Sequence, residues 1–340
     1  MGLFLRLKRH ALPLLSVLLL LTAFISLTSG RYPTSLSELL ETLFLWARNA
    51  PLTDRQDEIF FLLTNVRLPR ICAAILVGAA LSVSGTVYQA MFVNPLVSPS
   101  ILGVLSGASF GAALGIVVFN SWFATQSLAF IFAGVAVALA VFLSLMFRRS
   151  SMLVLILGGM ISGALFTSFT SLLKYVADPA NQLPELVYWL MGSFTHANSD
   201  NLMKVGLIAL VGIIFLSTRG KTINVLSLGE EEAMSLGINV KKTRLILIAA
   251  ATFISASTVV LAGTIAWVGL VVPHILRFLT GPDNRTLLPI AAVGGAFYML
   301  FTDLMVRTAF SAEIPVGIVT SLVSLPLFIF AIAHNKGRWL

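Results

Sequence analysis

Residues 123–147 read FATQSLAFIFAGVAVALAVFLSLMF, a stretch with no charged side chain. A hydrocarbon core of roughly 30 Å takes about 20 helical residues to cross, so this stretch is long enough to span a membrane. It does not stand alone. Comparable apolar runs cover 11–28, 71–93, 101–119, 152–173, 202–218, 243–262, 264–280, 286–306 and 315–333. The seventh and eighth runs in chain order are separated only by Gly263 and its neighbours.

The whole composition agrees. The 340 residues are 58% hydrophobic and 11% charged, with mean hydropathy +0.96, far from the balance of a soluble globular domain. The runs are continuously apolar and do not alternate, so their backbone groups are best satisfied inside helices and not in a β-barrel. The expectation is an all-α polytopic membrane protein with about ten transmembrane helices, organised as one transmembrane domain over 1–340. Arg6, Lys8 and Arg9 precede the first run as in a signal peptide. That run is longer than a usual signal core, however, and Ser29-Gly30-Arg31 is a weak cleavage site, so it reads as a retained helix.

Cations set the orientation. With the N-terminus inside, Arg6, Lys8, Arg9, Arg148, Arg149, Arg219, Lys221, Lys241, Lys242, Arg244, Arg277, Arg285, Lys336 and Arg338 are cytoplasmic, 14 of the 22 Lys and Arg. Both termini are then cytoplasmic by the positive-inside rule. The net charge of +8 therefore reports topology, and with no basic soluble domain no nucleic-acid partner is expected.

Site chemistry is sparse. The lone Cys72 has no internal disulfide partner. His10, His196, His274 and His334 are scattered without ligand spacing, so no metal site is expected. Gly103, Gly107, Gly111 and Gly115 recur every fourth residue and line one helix face for close packing. Asp303 is an acid at membrane depth, and Arg307 one turn later suits a structural ion pair. Gly220-Lys221-Thr222 looks like the end of a phosphate-binding loop, but Phe215 occupies the required first glycine, so the chain itself should bind no ATP.

One segment breaks the apolar pattern: RGKTINVLSLGEEEAMSLGINVKK, residues 219–242. Gly229 and Gly237 bracket Glu230, Glu231, Glu232 and Ala233 in a short helix with acids in its first turn and a glycine stop. On the cytoplasmic side and joined to membrane helices, it is a handle that a soluble partner can grip.

Five ordered segments resemble the FecCD/BtuC-type permease family, the type II ATP-binding-cassette importers of iron chelates and vitamin B12. They are Arg67-Leu68-Pro69-Arg70 followed by GAALSVSGTVYQAMFVNPLVSPSILGVLSGA (78–108); YWLMGS (188–193); the 219–242 island; GTIAWVGLVVPHILR (263–277); and EIPVGIVT (313–320). The resemblance implies a transport subunit that is not itself an enzyme, working as a homodimer. Two cytoplasmic ATPase subunits would bind ATP and Mg and grip the island, here more acidic than the family pattern. An extracytoplasmic binding protein would deliver cargo across a bacterial or archaeal cytoplasmic (inner) membrane. It implies docking by Arg67, Arg70 and Arg307, coupling through Gly229 to Gly237, and a cytoplasmic gate at Asn94 and Leu96, with Ser150 and Ser151 as weaker gate candidates. Ferric siderophore is the first expected cargo, with haem, cobalamin and molybdate-like oxyanions behind it.

Pro273, inside the fourth segment, should bend or break the eighth helix. An ion-coupled secondary transporter is the rival class, but it would want paired charges at mid-membrane. An intramembrane enzyme would need a convergent catalytic set, which the sequence does not offer.

Overall fold

A computed structural model describes residues 2–30, 32–146, 152–309 and 312–333. Ser150 and Ser151 lie outside the described residues, as do Arg148, Arg149 and His334. The helices are α1 (Gly2–Thr28), α2 (Leu36–Ala47), α3 (Asp54–Phe61), α4 (Leu68–Met91), α5 (Val104–Leu114), α6 (Trp122–Met146), α7 (Met152–Val176) and α8 (Gln182–Leu190). They continue with α9 (Ser199–Asn201), α10 (Leu207–Thr218), α11 (Gly220–Leu226), α12 (Glu230–Ser235), α13 (Val240–Ala262), α14 (Val268–Thr280), α15 (Asn284–Ala309) and α16 (Val316–Ala333). Each expected apolar run is a helix. Among the described residues seven spans are long and apolar enough to cross alone, while Val104–Phe119, Val268–Thr280 and Val316–Ala331 are shorter.

The ends differ from expectation for identifiable reasons. The second run extends backwards into one helical rod, Asp54–Met91, through π-type turns at Leu62–Arg67. Those turns sit just before Pro69, whose ring and missing N–H would disrupt a regular α ladder. The fourth-residue glycine pattern holds for three of its four members. A Cβ on Gly107, Gly111 or Gly115 would come within 2.2, 2.1 or 2.3 Å of Phe132 O, Leu128 O or Thr125 Cα of α6. Gly103 instead precedes α5 in the left-handed region, φ +81°, and so starts the helix without sharing its face.

Pro273 does not break α14, which runs unbroken from Val268 to Thr280. The interruption falls earlier. Gly263 (φ 68°) and Trp267 (φ 70°) turn the chain between α13 and α14, which moves the start of α14 from 264 to 268.

α4 is the central pillar. Its best membrane window is 83% buried, against 28% for α6 and α7, and α15, α13, α14 and α10 pack around it. Lipid tails are as apolar as leucine, so burial of greasy surface cannot hold these helices together, and close backbone approach at small residues must. Gly78 faces Gly295, and Gly85 faces Gly269. A Cβ on Gly85 would lie 1.7 Å from the Gly269 carbonyl oxygen. Gly85→Val should therefore cost at least the roughly 1–3 kcal/mol typical of overpacking. A thermal melt of the detergent-solubilised chain checks this, and an unchanged melting temperature would refute the close α4–α14 contact.

The first outer loop is not irregular. Ser35 and Thr53 each start a helix with a reciprocal capping box, so α2 and α3 form a hairpin closed by Trp46 stacked on Phe60 at 5.2 Å. Arg55 Nε donates to Glu38 Oε1 at 2.8 Å, and that hydrogen bond holds the Glu38 carboxyl at about 2, well under its ordinary 4.5. A depressed carboxylate stabilises above its unfolded value and stops doing so as pH falls through its folded one. Protection factors for hydrogen exchange over residues 54–61, taken relative to the intrinsic rate at each pH, should hold from neutral pH to about 4.5 and fall toward about 2. A fall already at pH 6 would contradict the pairing.

Candidate functional site

At the outer end Arg67, Arg70 and Arg307 come together, and they are not free. Arg67 and Arg70 are 6% and 8% exposed. Arg67 Nη1 donates to Thr34 Oγ1 at 2.6 Å, and its Nη2 to the Tyr32 carbonyl at 2.8 Å. Arg70 Nε donates to Asp303 Oδ1 at 2.9 Å, and Nη1 to Glu313 Oε1 at 2.6 Å. Arg307 Nε donates to Asp303 Oδ2 at 3.0 Å, Nη1 to the Ser29 carbonyl at 3.1 Å, and Nη2 to Ser26 Oγ.

The three guanidinium groups expected to dock a partner are thus engaged within the chain. A buried guanidinium needs fixed acceptors, and the chain supplies them from α1, the 29–34 segment, α15 and the 312–315 loop. Asp303 is completely buried and pairs with Arg307 as i,i+4 spacing suggested, yet it serves Arg70 equally. Of the two carboxylates on Arg70, Glu313 is the more exposed, its side chain at 23% against 0% for Asp303.

Three of the quoted segments meet close to this cluster. A Cβ on Gly192 would be 2.7 Å from Thr264 O, and one on Gly317 would be 2.1 Å from Met191 O. Ser193 N donates to Ala262 O at 2.8 Å and Gly317 N to Gly192 O at 3.3 Å. The first segment joins the fourth on the other side of α4, where Gln89 Nε2 donates to Leu270 O at 3.0 Å.

At the cytoplasmic end α12 forms as the sequence indicates. Gly229 (φ 126°) starts it and Gly237 (φ 82°) ends it. Gly237 N donates to Met234 O at 2.9 Å and Ile238 N to Ala233 O at 3.0 Å, the paired bonds of a left-handed glycine stop. Ala233 is fully buried, whereas Leu228, Met234 and Leu236 are 62%, 53% and 61% exposed. Glu230 Oε2 accepts from Arg244 Nη1 of α13 at 3.0 Å, and Glu231 and Glu232 are exposed. One side of α12 is pinned to the bundle and the other presents acids and large apolar side chains.

Sequence reading missed the second anchor. α11 occupies the first half of the island, and Asn224 on it donates Nδ2–H to Asp283 Oδ1 at 2.8 Å while its Oδ1 accepts from Asn284 N at 2.9 Å and Nδ2 at 2.8 Å. Arg285 clamps the same aspartate through Nη2 at 2.8 Å, and that hydrogen bond is the main reason the Asp283 carboxyl sits far under its usual range. Polar residues beside a turn give no sequence signal of a partner 60 positions away. The island is therefore held to the α14–α15 turn as well as to α13.

Asn94 and Leu96 lie in the turn after α4. Asn94 Oδ1 accepts from Leu96 N at 2.9 Å, Val93 takes φ 47°, and Leu96 is 53% exposed. The carboxamide closes its own turn. Beside it a cavity of about 520 Å³ is bordered by Gln89, Asn94, His274, Arg277 and Asn284.

Comparison with known proteins matches the family model of the FecCD transport family to residues 18–334. The chain is 40% identical to the molybdate import system permease protein MolB of Haemophilus influenzae, over 92% of each chain. It is 36% identical to the hemin transport system permease protein HmuU of Yersinia pestis, over 84% of this chain and 86% of that one. A solved inward-facing conformation of a metal-chelate type ABC transporter superposes with TM-score 0.84 at 38% identity, covering 95% of this chain and 98% of the other.

Proposed function

We propose, on the premise that the chain belongs to the FecCD transport family, that it is the permease subunit of an ATP-binding-cassette importer for metal chelates and related cargo. The observation that supports this most strongly is the two-sided α12. A six-residue helix pinned through Ala233 and Glu230 and exposed at Glu231, Glu232, Met234 and Leu236 suits transmission of force from a soluble partner.

In this reading two copies of the chain form the path in a bacterial or archaeal inner membrane. Two ATPase subunits hold ATP and Mg, and this chain binds no cofactor. Closure of the ATPase pair pushes α12 and α11, and through Asn224 and Arg244 the push reaches the α14–α15 turn and α13. The turn at Asn94 and Leu96, beside the 520 Å³ cavity, is the gate it acts on. At the outer face a carboxylate of the binding protein replaces Glu313 on Arg70, while the remaining guanidinium bonds stay internal.

Ferric siderophore is the first cargo reading. A molybdate-type oxyanion is the second, favoured by the 40% identity to a molybdate import permease. Calorimetric titration of the cognate binding protein with ferric siderophore, haem, cobalamin and molybdate decides between them. Siderophore binding alone supports the first reading, molybdate binding alone the second, and binding of none of these rejects the cargo class.

A further inference from the structure

At the cytoplasmic ends of α6, α7 and α13 lies a cavity of about 570 Å³, walled by Val141, Leu145 and Leu245 and rimmed by Lys241, Lys242 and Arg244. It shares Val141, Leu145, Leu245 and Ile248 with a second cavity of about 400 Å³ that continues between α6 and α13 past Gly134 to Phe130 and Ala256. Together they form one groove, apolar along its length and cationic at its mouth. From Leu145 to Phe130 the helix rises about 22 Å at 1.5 Å per residue, more than half of a roughly 30 Å hydrocarbon core. The groove is at least one leaflet deep.

Its rim is underused. Lys241 and Lys242 are exposed and make no ion pair among the described residues, in contrast to Arg244. Arg244 spends Nη1 on Glu230, while its Nε is buried without a hydrogen-bond partner. The other acids of α12, Glu231 and Glu232, are exposed on that helix. At Gly134 an added Cβ would meet nothing within 4 Å, so the floor there is open and not filled by a neighbouring helix.

We propose that this groove binds one anionic glycerophospholipid of the cytoplasmic leaflet, its phosphate among Lys241, Lys242 and Arg244 and one acyl chain along α6 and α13. Charge complementarity selects the headgroup, because cations beside a cytoplasmic helix end attract anionic lipid. The apolar length selects a lipid over a soluble phosphate, which would leave the groove below it empty. A protein segment is the poorer occupant, since it would carry backbone groups to a depth where the walls offer no partners. Because Arg244 also holds Glu230, the lipid sits one side chain away from α12.

Native mass spectrometry of the full chain in mild detergent, titrated with dioleoyl phosphatidylglycerol or dioleoyl phosphatidylcholine, tests this. The phosphatidylglycerol should be retained at one copy per chain at roughly tenfold lower concentration than the phosphatidylcholine, and K241Q/K242Q should abolish that preference. Gly134→Phe, which fills the open floor while leaving every cation in place, should independently lower retention of the phosphatidylglycerol. Soluble glycerol phosphate should not compete. Equal retention of the two lipids, competition by glycerol phosphate, or retention unaffected by Gly134→Phe would overturn the site. So would loss of the lipid when the ATPase subunits are added, which would assign the groove to protein. Size-exclusion profiles matching the parent chain confirm that each variant is folded.

Discussion

Asp303→Ala should destabilise the chain by about 3–5 kcal/mol, the range for breaking a buried ion pair from one side. The carboxylate is fully buried and is shared by Arg70 Nε at 2.9 Å and Arg307 Nε at 3.0 Å. Removing it strands two cations, of which Arg70 retains Glu313 and Arg307 retains Ser29 O and Ser26 Oγ. Asp303→Asn keeps the volume and should lose most of the same stability, which separates charge from packing. Replacing Arg70, Asp303 and Arg307 together by Met, Leu and Met should recover much of it, because apolar substitution of a whole buried ionic group is often near neutral. Thermal and denaturant melts in detergent read all three. A loss under about 1 kcal/mol for Asp303→Ala, the behaviour of an exposed pair, would show that the cluster is not the clamp described.

Ala233→Asp should uncouple the subunit from its motor. Ala233 has no exposed surface and its carbonyl closes the glycine stop with Ile238. A carboxylate there would be forced into the apolar cluster to which Ala233 belongs. A polar group left unpaired in the interior costs roughly 1–3 kcal/mol by mutational measure, and more when charged. Spent on displacing α12 alone, that is about a ten- to hundredfold loss of ATPase association. Copurification of the ATPase and ATP-driven uptake should fall together, and because Ala233 packs inside the core cluster the thermal melt of the permease should fall with them. Glu231→Ala and Glu232→Ala, on the exposed side, should weaken association without shifting the melt. Full ATPase binding by Ala233→Asp would remove α12 from the coupling path.

The ten apolar runs were legible because crossing a membrane demands length and continuity, both of which are local properties. Their ends were less so. Gly103 kept the four-residue spacing of Gly107 and Gly111 but took a positive φ, and spacing alone does not carry dihedral angles. Pro273 suggested a bend or break in α14; the helix runs on past it from Val268 to Thr280, and the turn before it is made by Gly263 and Trp267. The α2–α3 hairpin went unread, although Ser35 and Thr53 open its helices with capping boxes, since charged amphipathic helices look like loop beside lipid-spanning ones.

For the sites, local patterns again succeeded and distant ones did not. Glu230 through Gly237 could be read as a short capped helix, and Asp303 with Arg307 as a pair one turn apart. Arg70 joins Asp303 across 233 positions, and Asn224 reaches Asn284 across 60. No periodicity reports such contacts. The three arginines were read only as lying near outer helix ends, and their burial depends on acceptors from α1 and the 29–34 segment, which no local pattern announces. The quoted motifs have a physical meaning that spacing could not give: Gly192, Gly263, Gly269 and Gly317 sit where separate backbones touch.

The most direct test of the importer reading is accumulation of cargo in proteoliposomes holding this chain and its ATPase, with the loaded binding protein outside. The account predicts accumulation that requires ATP on the ATPase side and the binding protein on the other, and that an imposed proton or sodium gradient does not replace. Accumulation driven by an ion gradient in vesicles containing this chain alone would contradict it.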